Sequence, residues 1–132
     1  MSTHADATFK IDAWDEEAID EAEDGPQFTR ASVRKTYDGA IQGRGTVEYL
    51  MMYREDGSAA FVGLELVTGR LAGRSGSFVL QHVGAYTEGT AAATVTVVDD
   101  SGGGDLRGLQ GQGGYAAGHQ EPHHMTLDYD LE

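Results

Sequence analysis

The chain has 132 residues, no cysteine, and a formal net charge of −13 that arises from 22 acidic and 9 basic residues. Without cysteine it forms no disulfide and carries out no thiol chemistry, and its negative charge disfavours nucleic acid and anionic membranes as partners. Glycine occupies 19 positions, about twice its usual share, which favours an all-β protein with many tight turns.

The length predicts a single domain over residues 1–132, with residues 1–6 as a flexible N-terminus. Residues 1–10 contain no apolar run typical of a signal peptide. No segment approaches the roughly 18 apolar residues of a membrane span. We therefore expect a cytoplasmic protein.

The first predicted elements are two strands separated by an acidic segment. Ala7–Trp14 alternates between polar and apolar residues, as does Phe28–Tyr37. Residues 15–27 lie between them, and their crowded carboxylates predict a solvated acidic connecting loop. Cation binding is the alternative, but the D-x-[DN]-x-[DN]-G pattern of a calcium site is missing. A turn centred on Ala40-Ile41 would place Val33 opposite Glu48 on the next strand.

Residues 46–98 read as four strands joined by three two-residue turns, at Asp56-Gly57, Ala72-Gly73 and Glu88-Gly89. These turns fix the predicted register as pairs of facing residues, which are Glu48 and Glu65, Glu65 and Leu80, Gly63 and His82, and His82 and Val95.

This register predicts two faces. One carries Glu48, Glu65 and His82 with apolar residues such as Met52, Phe61, Phe78 and Leu80, and we expect it to line the interior. The other carries Tyr49, Met51, Tyr53 and Gln81 among further apolar residues, and it is the alternative lining. Because both faces are largely apolar and the chain offers no substantial helix, we expect a barrel whose outer wall associates with copies of itself as a homo-oligomer.

The remaining residues complete the barrel. Asp99–Asp105 predicts a loop, Leu106–Leu109 a turn, the residues through Tyr115 a short bent strand, and His123–Leu131 a clean final strand. Eight strands at meander-like spacing predict an eight-stranded antiparallel up-and-down barrel, which has room for side chains or one small ligand.

The order and spacing of several segments carry a family resemblance over residues 7–132. These segments are FTRASVRKTYDG, RGTVEYLMMYREDGSAAFVGLELVTGRLAGRSGSFVLQHVG and TLDYDLE. They resemble an uncharacterised bacterial family of small allene oxide cyclase-like barrel proteins. The resemblance implies an eight-stranded, usually oligomeric barrel with an axial cavity, and it supplies no reaction. Plant allene oxide cyclases and spirotetronate-type cyclases are similar in fold only, so no residue is carried over.

The candidate catalytic residues are Glu48, Glu65 and His82. Two carboxylates facing each other in an apolar interior require that one takes up a proton, or that His82 or Lys35 supplies the balancing charge. Such a group suits proton transfer or the orientation of a ligand. The structural alternative is a buried hydrogen-bonded network that fixes strand register. As ligand-binding residues we predict these three with Met52, Phe61, Phe78 and Leu80.

Other motifs give no site. His119, His123 and His124 lie near Glu121, but His123 and His124 are strand neighbours that point to opposite faces, so we expect surface histidines, with a metal site or a contact at the barrel mouth as alternatives. The glycine-rich runs lack the lysine and the strand-to-helix context of phosphate loops. We expect no cofactor and no metal.

Three functions stay open. The first is a barrel that binds a small, mainly apolar molecule in its cavity. The second is a cofactor-independent isomerase or cyclase that acts on an apolar substrate with a protonated glutamate. The third is a structural oligomer with a filled barrel.

Overall fold

The computed structural model describes residues 2–20 and 27–131, which form an all-β, antiparallel barrel. The strands are β1 (Thr3–Asp20), β2 (Gln27–Gly39), β3 (Ile41–Tyr53), β4 (Ala59–Leu71), β5 (Arg74–Thr87), β6 (Thr90–Val97), β7 (Gly103–Gly104), β8 (Gln110–Ala117) and β9 (His123–Asp130). Neighbouring strands pair in the order β4-β3-β2-β1-β9-β8-β6-β5, and β4 also pairs with β5, which closes the ring. The predicted eight-stranded up-and-down barrel is confirmed, with the two-residue β7 as an extra pairing on β5.

Strand β1 is longer than predicted at both ends. Residues 3–6 pair with β9, where a flexible N-terminus was expected. Residues 15–20 pair with β2, where a connecting loop was expected, while residues 21–26 of that predicted loop lie outside the described part of the chain. In this acidic segment Glu16 accepts a hydrogen bond from Thr29 on β2 at 2.6 Å and another from Trp14, on β1 itself, at 2.9 Å.

The hairpins that flank β5 have the predicted register. Glu65 faces Leu80 and Gly63 faces His82 across β4 and β5, and His82 faces Val95 across β5 and β6. Both turns contain two residues with positive φ, which is what a two-residue hairpin turn requires.

The two hairpins that flank β3 differ from the prediction by one residue each. Val33 faces Val47, not Glu48, and Glu65 also faces Val47, not Glu48. The two shifts cancel across β3, so β2 and β4 keep their predicted relation and only the side chains of β3 are reversed. Since side chains alternate along a strand, a slip of one residue moves each of them to the opposite face.

The β3–β4 connection shows why the slip arises. It spans five residues, because Arg54 N–H donates to the Ser58 carbonyl at 2.8 Å and pairing resumes at Ala59. The Asp56 carboxylate accepts from Ser58 N–H at 2.9 Å and from its hydroxyl at 2.6 Å. Local side-chain bonds therefore favour a longer loop than the two-residue turn that Asp56-Gly57 predicts.

One end of the barrel is closed. The segment between β6 and β8 folds over it, and Leu106 and Leu109 are buried in the same core as Phe78, Leu80 and Met125. Two short backbone pairings between β7 and β5 hold this segment in place. A second, smaller core around Val33, Val47 and Phe61 fills part of the other end.

Part of the outer wall is apolar. Leu50 on β3, Val62, Leu64 and Leu66 on β4, and Val83 on β5 are exposed, and we call these five residues the outer strip. They share one surface because Leu50 pairs with Val62, which in turn pairs with Val83. No helix in the described ranges is long and apolar enough to cross a membrane.

Candidate ligand-binding site

Glu65 and His82 lie side by side in the middle of the barrel, as the β4–β5 register predicts. His82 Nε2 is 2.7 Å from Glu65 Oε1, and neither side chain has any exposed surface. Lys35 Nζ is 3.4 Å from the same oxygen, and Tyr37 donates its hydroxyl to Glu65 Oε2 at 2.6 Å. The buried carboxylate therefore has three donors and one balancing charge.

Two more tyrosines turn this cluster into a closed ring of hydrogen bonds. Lys35 Nζ donates to the Tyr49 hydroxyl at 3.1 Å, the Tyr49 and Tyr115 oxygens are 3.3 Å apart, and Tyr115 is 3.2 Å from His82 Nδ1. We call the ring of Lys35, Tyr49, Tyr115, His82 and Glu65, together with Tyr37, the polar layer. No buried polar atom of a described side chain lacks a hydrogen-bond partner.

The directions of these bonds follow from the charge states. An ionised Glu65 only accepts, so the neutral His82 donates from Nε2 and accepts at Nδ1. Tyr115 must then donate to His82, and Tyr49 must donate to Tyr115. The result is one continuous chain of donors from Lys35 through both tyrosines and the imidazole to the carboxylate, which is an arrangement that can relay a proton.

The electrostatics support these charge states. Burial alone would raise the pKa of Glu65, but the Lys35 charge and the hydrogen bonds from His82 and Tyr37 lower it overall. Burial, aided by the Lys35 charge, lowers the pKa of His82 despite its carboxylate partner. Burial also raises the pKa values of Tyr37, Tyr49 and Tyr115, so all three keep their protons.

Small residues make room for the polar layer. Gly45 on β3 faces Lys35, and a Cβ atom there would collide with the Glu65 carboxylate and lie 2.9 Å from the Tyr37 ring. A Cβ atom on Gly63 would lie 2.7 Å from the Tyr49 ring. Glycine is thus needed at these two positions because a side chain from a neighbouring strand occupies the space.

A cavity of about 80 Å³ lies on the open side of the polar layer. A single water needs roughly 10–15 Å³, so the space holds several waters or a small organic group. Its walls are mainly aromatic and aliphatic, including Phe9, Trp14, Phe61 and Tyr86, whereas Lys35, Tyr49 and Tyr115 of the polar layer form its polar part.

Lys35 meets this cavity inside an aromatic cage. Its Nζ lies 4.6 Å from the centre of the Phe9 ring, 5.4 Å from Tyr115 and 5.6 Å from Tyr49. Ring faces attract a cation, so the cage partly replaces the water that the ammonium group loses. A positive group is thereby held at the base of an apolar pocket.

The seven residues predicted to bind a ligand lie in four different places. Glu65 and His82 belong to the polar layer but do not line the cavity, and Phe61 does line it. Phe78 and Leu80 pack in the core of the closed end. The expected interior position of Glu48 and Met52 is wrong, because the β3 slip places both on the outer wall. Glu48 is 45% exposed there and pairs with Arg30 at 2.8 Å.

The structure adds Lys35, Tyr37 and Tyr115 to the site, of which only Lys35 was expected there, as a possible balancing charge. Lys35 shares the buried face of β2 with Ala31 and Val33, which lie at every second position before it. A lysine on this otherwise apolar face was a signal in the sequence that it belongs to a buried polar site. Tyr37 continues that face of the strand. Tyr115 lies in a glycine-rich strand whose pattern gives no reliable face, and only the closed barrel shows where its hydroxyl points.

The C-terminal histidines occupy separate environments. The expected surface position is wrong for His123, which is buried with its ring 5.1 Å from that of Phe9, while His124 is exposed on the opposite face as predicted. Glu121 accepts a hydrogen bond from Ile11 N–H at 2.6 Å, next to a bulge in β1. Within residues 2–20 and 27–131, no three His, Asp or Glu side chains are grouped so that they could hold a metal ion.

Comparison with known proteins gives a consistent family assignment. A family model described as a protein of unknown function (DUF3224) matches residues 5–129. A solved structure from Shewanella oneidensis MR-1, described as a protein with unknown function from the DUF3224 family, is 31% identical, with a TM-score of 0.86 over 100% of this chain and 99% of that one. No curated protein matches.

The bacterial family of unknown function that the sequence resembles is therefore confirmed, while its allene oxide cyclase-like label finds no support in these matches. The chain belongs to the DUF3224 family.

Proposed function

We propose that the protein binds a small, mainly apolar molecule in the cavity at the open end of its barrel. The observation that carries this proposal is the meeting of an apolar cavity with a caged ammonium group, Lys35. A filled structural barrel would place apolar side chains there, as the closed end does. Lys35, Tyr49 and Tyr115 would contact the ligand, and Glu65 and His82 would hold these three in position.

The test uses two alanines that are neighbours on β6. Ala91 lines the cavity, whereas Ala92 is exposed on the outer wall. Trp14, the one tryptophan in the chain, lines the cavity, and its indole N–H, which donates to Glu16, gives a single NMR signal. We expect small neutral aromatic compounds to shift this signal in the wild type and in Ala92→Leu, and to bind at least tenfold more weakly in Ala91→Leu.

Native mass spectrometry of protein purified from its source complements the titration, because it reports any molecule that the protein retains. Equal binding by both leucine variants would contradict a cavity site. So would the absence of any shift in the wild-type Trp14 signal across the compounds tested.

A cofactor-independent isomerase or cyclase is the second candidate, and the continuous donor chain favours it. If a ligand gave a proton to the Tyr115 oxygen, Tyr115 would pass its own hydrogen to His82 Nδ1, and His82 would pass its Nε2 hydrogen to Glu65. Tyr115→Phe removes one hydroxyl from the chain and keeps the ring. If the protein is an enzyme, this variant loses turnover and retains binding. If it is only a binding protein, no substrate is converted by either form.

We further propose that a second copy of the chain covers the outer strip. Arg30 and Glu48 lie beside the strip and form an ion pair with each other. Around a two-fold axis, the same two side chains could exchange partners between copies, so that no charge is left without a partner. The charges beside the strip would thus complement each other across the two-fold axis.

A further inference from the structure

The hydrogen bonds of the polar layer restrict which ligand group can meet it. Lys35 has three N–H donors, of which one goes to Tyr49 and one to Glu65. No acceptor among the described residues takes the third, and the ammonium nitrogen itself lies within the aromatic cage at the cavity. The ammonium group therefore has one donor left for a ligand.

The tyrosines offer no further donors. Tyr37 donates its hydroxyl hydrogen to Glu65. In the donor chain, Tyr49 donates to Tyr115, and Tyr115 donates to His82. A ligand that could only donate would leave the third N–H of Lys35 without an acceptor, and a buried donor without a partner is unfavourable. The ligand atom that completes the layer is a hydrogen-bond acceptor.

Charge decides between a neutral and an anionic acceptor. The layer contains one positive group, Lys35, and one negative group, Glu65, which lie 3.4 Å apart. A carboxylate would add an unbalanced negative charge to an apolar cavity, and an ammonium ion would be repelled by Lys35. Neither of these costs applies to a carbonyl oxygen.

We infer that the ligand of this cavity is a neutral apolar molecule that carries a carbonyl oxygen, held by the free N–H of Lys35. This inference rests on the proposed function and narrows it to one chemical class. Ketones, esters and lactones satisfy it, whereas fatty acids, amines and pure hydrocarbons do not.

The experiment compares compounds of similar size: acetophenone, cumene, benzoate and 1-phenylethylamine, each titrated into the full chain at pH 7 while the Trp14 indole signal is followed. A hydrogen bond from a charged donor contributes about 1.5–3 kcal/mol, so acetophenone should bind at least roughly tenfold more tightly than cumene. Benzoate and the amine should bind more weakly than either.

The outcomes separate the two claims. If none of the four compounds binds, the proposed function fails. If cumene binds and acetophenone binds no more tightly, or if benzoate binds most tightly, the cavity stands and the carbonyl inference is overturned.

A second measurement uses only the wild-type protein. The carbonyl carbon of ¹³C-labelled acetophenone should resonate downfield of its position in hexane when bound, because a hydrogen bond polarises the C=O bond. A bound resonance at the hexane position would overturn the inference.

In the double variant Lys35→Met/Glu65→Gln, which keeps the layer neutral, the preference for acetophenone over cumene should disappear.

Discussion

At the residue scale, Glu48 and Glu65 show how far position determines the chemistry of one side chain. Glu48 is 45% exposed and pairs with Arg30 on the surface, while Glu65 is fully buried and its carboxylate contacts Lys35, Tyr37 and His82. Exposed ion pairs contribute little to stability, whereas a buried charge that loses its partner is costly. The two glutamates therefore make a matched pair for mutation.

We predict that Glu65→Gln lowers the free energy of unfolding by about 3–5 kcal/mol, because it leaves the Lys35 ammonium buried without a counter-charge. Glu48→Gln should leave the free energy of unfolding unchanged within error. Urea unfolding followed by circular dichroism measures both. Equal effects of the two substitutions would contradict the buried ion pair.

The same pair can be tested by a double-mutant cycle with Lys35→Met. The double variant Lys35→Met/Glu65→Gln should be more stable than the sum of the two single effects predicts, because no charge then remains buried. Strict additivity would show that Lys35 and Glu65 do not interact.

Stability should also fall as the pH is lowered from 7 to 4. The fold lowers the pKa of His82 from its ordinary 6.5, so the unfolded chain takes up a proton first below that pH. The fold lowers the pKa of Glu65 from its ordinary 4.5, and this contribution is present above pH 4.5 and is lost as the pH falls through the folded value. We expect Tm to fall less between pH 7 and 5 in His82→Gln than in the wild type.

His4 is a control with the opposite sign. It is exposed between Asp6 and Asp128, and its hydrogen bonds to Asp128 and Asp6 raise its pKa above 6.5. Its contribution is present below pH 6.5 and is lost as the pH rises through the folded value. The Tm of His4→Asn should consequently fall more steeply on acidification than that of the wild type.

At the element scale, the reversal of β3 decides which side chains form the site. It removes Glu48 and Met52 from the interior and brings Tyr49 and Met51 into it. Neither predicted face was correct as a whole, since the interior combines the expected residues of β4 and β5 with the alternative residues of β3.

Gly45 is the β3 residue on which the polar layer depends most directly. We predict that Gly45→Ala destabilises the protein by about 1–3 kcal/mol, because the added methyl group would displace the Glu65 carboxylate. Gly118→Ala is the matched control, since a Cβ atom there meets nothing within 4 Å. Thermal unfolding compares the two variants, and an equally small effect of both would contradict the tight fit at Gly45.

The sequence predicted the barrel, the order of its strands and the juxtaposition of Glu65 with His82, because Ala72-Gly73 and Glu88-Gly89 leave one choice of turn. It did not predict the side of β3, because the loop at Asp56 depends on side-chain bonds that allow more than one length. Tyr115 joins His82 and Tyr49 only after β8 pairs with β6 and β9, so local patterns could not place it. The cavity is likewise a property of the closed barrel.

At the scale of the whole molecule, the outer strip and the net charge of −13 act against each other. Negative charge keeps copies apart at low salt, while an exposed apolar surface favours association. Because salt screens charge and leaves apolar burial in place, self-association through the strip should strengthen as ionic strength rises.

Leu64 lies in the middle of the strip and is 56% exposed. We predict that the wild type sediments as a dimer or larger oligomer at moderate salt, and that Leu64→Lys sediments as a monomer with an unchanged circular dichroism spectrum. Thr126→Lys adds the same charge on the exposed face of β9 and should not change the oligomer. A monomeric wild type, or dissociation by both substitutions, would contradict an interface at the strip.

The segment between β6 and β8, which contains Leu106 and Leu109, bears on how a ligand could enter and leave the cavity. Within the described residues, Leu106 and Leu109 fill one end of the barrel, and Lys35, Tyr49 and Tyr115 of the polar layer form part of the cavity wall. A ligand bound as proposed would therefore leave by the end of the barrel through which it entered, and two ligands would compete for the same opening. If a reaction takes place, its product must depart before the next substrate enters.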